Sequence, residues 1–117
     1  MENSRFKFRA WEKNMKIMMP VENIDFLAKQ INTNSVWRMF HEIELMQSTG
    51  LEDMNGVEIY LDDILSDEYG RKYIAVFKGD CVRCDAIRPG GKNRWISNHL
   101  EVIGNIHENP ELLEVAE

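Results

Sequence analysis

The sequence predicts a mainly β chain, α+β in class. It should carry an N-terminal β-hairpin, a small, partly open barrel in the C-terminal half and a short C-terminal helix. Three observations carry that expectation. Residues 5–11 alternate strictly, with Phe6, Phe8 and Ala10 on one side and Arg5, Lys7, Arg9 and Trp11 on the other, the period-two signature of a half-buried strand. Short runs rich in β-branched and aromatic residues recur at tight spacing after Gly50, as in small barrels. Turn residues separate these runs, and Asn55-Gly56 is the strongest short turn dipeptide among them.

In chain order, residues 12–14 read as a turn and residues 16–19 as a return strand that Pro20 ends, since proline cannot donate to a ladder. Residues 22–46 carry two patterns. Ile24, Leu27, Ala28 and Ile31 fit helical spacing behind Asn23, and Val36, Phe40 and Ile43 fit it behind Ser35. Ile24-Asp25-Phe26 and Gln30-Ile31-Asn32 equally make two short strands around a turn. From residue 57 the strands are 57–60, 62–65, 73–77, 81–87, 94–96 and 100–103, with Gly79-Asp80 suited to a two-residue hairpin loop. The loop Arg88-Pro89-Gly90-Gly91-Lys92 follows from composition. At the end, Asn109 can cap, Pro110 suits the first helical position, and Leu112, Leu113 and Val115 supply an apolar face.

The chain has 117 residues, enough for one domain with an unstapled core. We take residues 1–117 as a single domain, with the hairpin and the two-patterned segment in 1–45 and the barrel and helix in 46–117. No apolar run approaches the ~20 residues of a membrane span, and the charged opening residues make no signal peptide. Two cysteines, Cys81 and Cys84, are too few for the disulfide framework of a small secreted chain. These features predict a cytoplasmic protein without a membrane partner.

Charge is unevenly spread. The net charge is −6, yet the first twenty residues hold Arg5, Lys7, Arg9, Lys13 and Lys16 against Glu2 and Glu12, and no lysine or arginine lies between Met39 and Gly70. An acidic chain is a poor general binder of nucleic acid. Three candidate surfaces result. Arg5, Lys7, Arg9 and Trp11 form a candidate basic stripe. Asp62, Asp63, Asp67 and Glu68 form a candidate acidic surface without the spacing of a calcium loop. Arg88, Lys92, Arg94 and Trp95 form a candidate binding loop, in which bases attract phosphate and an indole stacks on a base. The simpler expectation for that loop is an ordinary hairpin connection with Trp95 in the core.

No catalytic constellation is legible. His41, His99 and His107 lack metal spacing, no serine sits in a nucleophile elbow, and Cys81-Val82-Arg83-Cys84 has no second ligand pair for zinc. The cysteines are read as structural, with no metal and no cofactor.

The run from Leu45 to Tyr60, the tail from Ile103 to Glu114 and the opening Lys7-Phe8-Arg9-Ala10-Trp11-Glu12-Lys13 together resemble the YopX family of bacteriophage and prophage proteins. The resemblance implies a Src-homology-like roll in the C-terminal half, strand–turn–strand in the middle segment, and action in a bacterial host. It implies no particular activity. Relatives carry glycine where this chain has Asp62, a residue that tolerates the same left-handed backbone. The expected function is a non-catalytic, protein-binding accessory module that forms a homo-oligomer or docks a host or phage protein. A nucleic-acid-binding barrel and an inhibitor of a host defence protein are the alternatives.

Overall fold

The computed structural model describes residues 7–33, 35–79 and 81–114. The chain is built almost entirely of antiparallel strands. β1 (Phe8–Glu12) and β2 (Ile17–Pro20) form the expected N-terminal hairpin. The middle segment makes β3 (Asn23–Asp25), β4 (Gln30–Thr33) and β5 (Val36–Met39), followed by a 3-10 turn at Phe40–Glu42. Then come β6 (Ile43–Glu52), β7 (Glu58–Tyr60), β8 (Asp63–Ser66), β9 (Lys72–Lys78), β10 (Cys81–Ala86), β11 (Arg94–Trp95) and β12 (Glu101–Asn105).

Three sheets result, ordered β2-β1-β6-β7, β3-β4-β5 and β11-β10-β9-β8-β12. The last curls into a half-barrel. β8 to β11 meander, and β12 returns to pair with β8 through a bulge between Val102 and Gly104. Its core holds Ile59, Leu65, Tyr73, Ala75, Cys84 and Leu100. A smaller core of Ala10, Ile31 and Ile43 lies under the N-terminal strands. β6 links the two, because it pairs with β1 on one side and β7 on the other. The 45/46 division drawn from sequence therefore falls inside one strand.

Strand wins over helix in the middle segment because Ile31 packs into the core with Ala10 and Ile43 and because Asp25 bends its own turn. The Asp25 carboxylate accepts hydrogen bonds from the Leu27 and Ala28 amides, at 3.1 and 3.0 Å, and Lys29 turns left-handed at φ 56°. An aspartate bonded to the backbone in this way competes with helix formation. Ile24 then pairs opposite Ile31. The cost falls on Leu27, which the helical spacing would bury and which stands 98% exposed.

The same device recurs at other turns. Glu12 Oε1 accepts from the Asn14 and Met15 amides at 2.6 and 2.8 Å. Asp53 accepts from Asn55 and Val57 with one oxygen and from Val102 with the other, which ties the β6–β7 turn to β12. Asp67 takes the Tyr69 and Arg71 amides, both at 2.9 Å. Asp62 adopts a left-handed φ of 75° and holds His107 at 3.1 Å.

The C-terminal segment forms a four-residue 3-10 helix, Pro110–Leu113. It sits against Gly104, where an added Cβ would lie 2.5 Å from the Asn109 carboxamide oxygen and 3.0 Å from Leu112 Cδ1. Leu112 and Leu113 are half-buried, and Val115 lies outside the described residues.

A buried ion pair ties the N-terminal strand to the barrel. Arg9 Nη2 donates to Asp63 Oδ1 at 2.7 Å, and its guanidinium lies 4.7 Å over the Tyr60 ring. Asp63 also accepts from the Tyr60 amide and is 1% exposed. Burial pushes its carboxyl upward, and Arg9 opposes that shift. Removing one member of such a pair leaves an uncompensated buried charge. Arg9→Ala is therefore expected to destabilise the protein by about 3 kcal/mol in urea unfolding, and Asp63→Asn on top of it to recover part of the loss. Equal stability of Arg9→Ala and the parent chain would show that the pair holds nothing together.

Candidate functional site

The three surfaces drawn from sequence fare differently. The basic stripe does not face solvent as a unit. Arg9 is bound to Asp63, Trp11 stacks on His107 at 5.7 Å between ring centroids, and Lys7 pairs with Glu58 at 3.3 Å. Arg5 lies outside the described residues. The basic N-terminal strand is instead neutralised by the acidic band of its own chain.

The acidic surface is also corrected. Asp63 and Asp67 are buried, at 1% and 6% exposure, because each must reach backbone amides and an arginine. Asp62 is half-buried against His107, which leaves Glu68 as the exposed member.

The candidate loop gains neighbours. Residues 87–92 form one wall of a half-open cleft of about 870 Å³ at one end of the half-barrel. Tyr69, Arg71 and Lys72 line the same cleft, with Leu112 and Glu114. Arg88 and Lys92 lie in this cleft. Arg94 does not line it: its guanidinium reaches under the wall to Asp67 at 3.9 Å and to Ser97 Oγ at 3.4 Å. Trp95 is not a core residue either. It pairs opposite Arg83 on the outer face of β10 and is 65% exposed. Gly91 is required by close packing, since a Cβ there would sit 2.7 Å from the Ala86 methyl.

Sequence reading missed Tyr69, Arg71 and Lys72 because they reach the loop only when β9 and β10 pair, Tyr73 opposite Ala86. Tyr69 is 74% exposed, and Arg71 holds its guanidinium 4.9 Å from that ring while its Nε donates to Asp67 at 2.7 Å. Asp67 is the fixed point of this group. Its carboxyl stays below the ordinary range because the Arg71 and Tyr69 amides and the Arg71 side chain outweigh the cost of its burial.

Sequence reading also missed an apolar surface. Phe26 and Leu27 project from the β3–β4 turn, 70% and 98% exposed. Trp37 and Met39, two apart on β5 and so on one face, are 49% and 36% exposed. A pairing of exposed apolar residues on a short sheet was not visible while the segment carried a helical pattern.

Among the described residues, no three His, Cys, Asp or Glu side chains gather as metal ligands, and no helix is long and apolar enough to cross a membrane. Cys84 is buried in the barrel core, its thiol pushed up to about 11 by that burial, whereas Cys81 is exposed.

A family profile described as YopX protein matches residues 7–114, and the chain belongs to the YopX family. Among solved structures it is similar to the crystal structure of protein EF1440 from Enterococcus faecalis. The two share 27% sequence identity with a TM-score of 0.65, and the match covers 92% of this chain and 97% of that one. No curated protein matches this chain significantly.

Two predictions follow from these side chains. Changing Cys81 and Cys84 to Ser should leave zinc in the purified protein near zero, as before the change, with a modest fall in melting temperature. Stoichiometric zinc that disappears in the variant would make the pair a metal site. Glu12, Asp53 and Asp67 all titrate below their ordinary values of 4.5, 3.8 and 3.8. Their contribution is complete above those values and drains away as pH falls through the lower folded ones. Asp63, shifted upward, acts in the opposite sense just above 3.8. With three groups against one, the melting temperature should hold from neutrality to about pH 5 and fall steeply below about pH 4, less steeply in Asp67→Asn. A flat acid profile would refute the turn-capping role.

Proposed function

We propose that this protein is a non-catalytic, protein-binding accessory module of a bacteriophage or prophage, acting in the bacterial host cytoplasm and self-associating through its β3–β4–β5 sheet. One observation carries the reading: the β3–β5 unit exposes four large apolar side chains, Phe26 and Leu27 at its β3–β4 turn and Trp37 and Met39 on one face of β5. Large aromatic and aliphatic side chains left in solvent as a group mark interaction surfaces. β3 and β5 are the edges of that sheet, and an edge strand offers unpaired amides and carbonyls to another strand. Two copies of one edge pair antiparallel under twofold symmetry, so a second copy of this chain is the occupant it fits. Charge complementarity between copies is not the basis of that contact, because Lys7, Arg9 and Lys13 pair with Glu58, Asp63 and Glu44 of their own chain.

The order of the half-barrel supports the Src-homology-like reading of the C-terminal half. A four-strand meander whose fifth strand returns to the first is the connectivity such a small roll uses. The short C-terminal helix would be its closing strap. The Arg9–Asp63 and Asp67–Arg71 pairs support a structural use of acids that a general inhibitor surface would leave free.

Light scattering at tens of micromolar protein is expected to give a dimer whose mass does not change with salt, since apolar burial is not screened as charge is. Leu27→Asp with Trp37→Ser should give a folded monomer. A monomeric parent chain at all salt concentrations would remove self-association and leave a foreign protein as the partner of this sheet.

A further inference from the structure

We propose that the cleft between residues 69–72 and 87–92 binds single-stranded nucleic acid, independently of the protein-binding sheet. The placement of cations carries this. Of the basic residues described, Lys7, Arg9, Lys13, Arg38, Arg71, Lys78, Arg83 and Arg94 are each paired with an acid of the same chain. Lys16, Lys29, Lys72, Arg88 and Lys92 take no ion pair among the described residues. Three of those five, Lys72, Arg88 and Lys92, line one cleft. A fold that neutralises most of its bases and leaves three converging on a concave surface presents a site for anions. Arg71 adds a fourth cation, 58% exposed although it is anchored to Asp67. Glu114 is the opposing carboxylate in the lining.

The aromatic component selects the class of anion. Tyr69 stands 74% exposed at the rim with Arg71 against its ring. An exposed ring beside cations is the pairing that holds single strands, with the ring stacking on a base and the cations on the phosphates. A cleft of about 870 Å³ is within the range of ligand sites and takes a short stretch of chain. Duplex would need a broad cationic surface, which a chain of net charge −6 lacks. Gly90, at φ 79°, turns the chain in the cleft lining without a side chain of its own.

Anisotropy of a short labelled oligothymidine tests the proposal. Binding should weaken about tenfold or more between roughly 50 and 200 mM salt, as expected when about three phosphates are contacted. Arg88→Ser with Lys92→Ser should weaken binding at least tenfold and flatten the salt slope to about one phosphate's worth. Tyr69→Ala should weaken it without altering the slope. Lys16→Ser with Lys29→Ser removes the same charge elsewhere and should change nothing. All variants alter exposed side chains, and their melting temperatures should match the parent chain. Absence of binding, equal loss in the Lys16/Lys29 variant, tighter binding of a duplex of the same length, or displacement by millimolar inorganic phosphate would each overturn the assignment. The Leu27→Asp, Trp37→Ser variant should bind the oligonucleotide as the parent does, so that failure of either surface is read separately.

Discussion

A carboxylate that accepts hydrogen bonds from the amides of its own loop is the recurring joint of this chain. Glu12 does this between β1 and β2, Asp25 between β3 and β4, Asp53 between β6 and β7, and Asp67 between β8 and β9. Hairpin turns leave backbone donors without ladder partners, and a buried donor must find an acceptor. Aspartate is short enough to supply it locally and, once ionised, does so with charge-assisted bonds. The architecture of short strands depends on this, because strands of three or four residues make too few ladder bonds to hold a turn unaided.

The consequence reaches the surface. Acids committed to turns draw arginines onto themselves, as Asp63 draws Arg9, Asp67 draws Arg71 and Glu12 draws Arg38. An acidic band that looks like a partner surface in sequence becomes internal wiring, and the basic N-terminal strand becomes its counterion. What stays unmatched is then informative. The apolar side chains around β3–β5 and the cations of the cleft are two such groups among the described residues. They lie on different elements, one on β3–β5 and the other on the segments flanking the β9–β10 pair, so a protein partner and an anionic one need not compete.

Much of the framework was legible from residue order. Alternation gave β1, a β-branched and aromatic run gave β9, and tight turn dipeptides placed the hairpins, β10 among them, since a two-residue period and left-handed turn residues are local properties. The family resemblance reached further, over residues 5–19 and 44–114, and left the middle segment open. Asp62 was read as a tolerable replacement for glycine, and it takes the left-handed backbone at φ 75°. These features depend on neighbours within a few positions, which is why sequence alone determined them.

Tertiary structure decided the rest, because it depends on which strands meet. The choice of strand over helix in residues 22–46 rests on Ile31 finding the pocket with Ala10 and Ile43, and on Asp25 bending its own backbone. The exposure of Leu27 and Trp37 is a result of that choice. Trp95 faces solvent because its partner across the ladder is Arg83, while its neighbour Arg94 faces Cys84 and the core. Tyr69 and Lys72 join Arg88 and Lys92 only through the β9–β10 register. Sequence fixes periodicity and turn chemistry over a handful of residues, whereas a site assembled from two loops some twenty positions apart exists only once the half-barrel between them has closed.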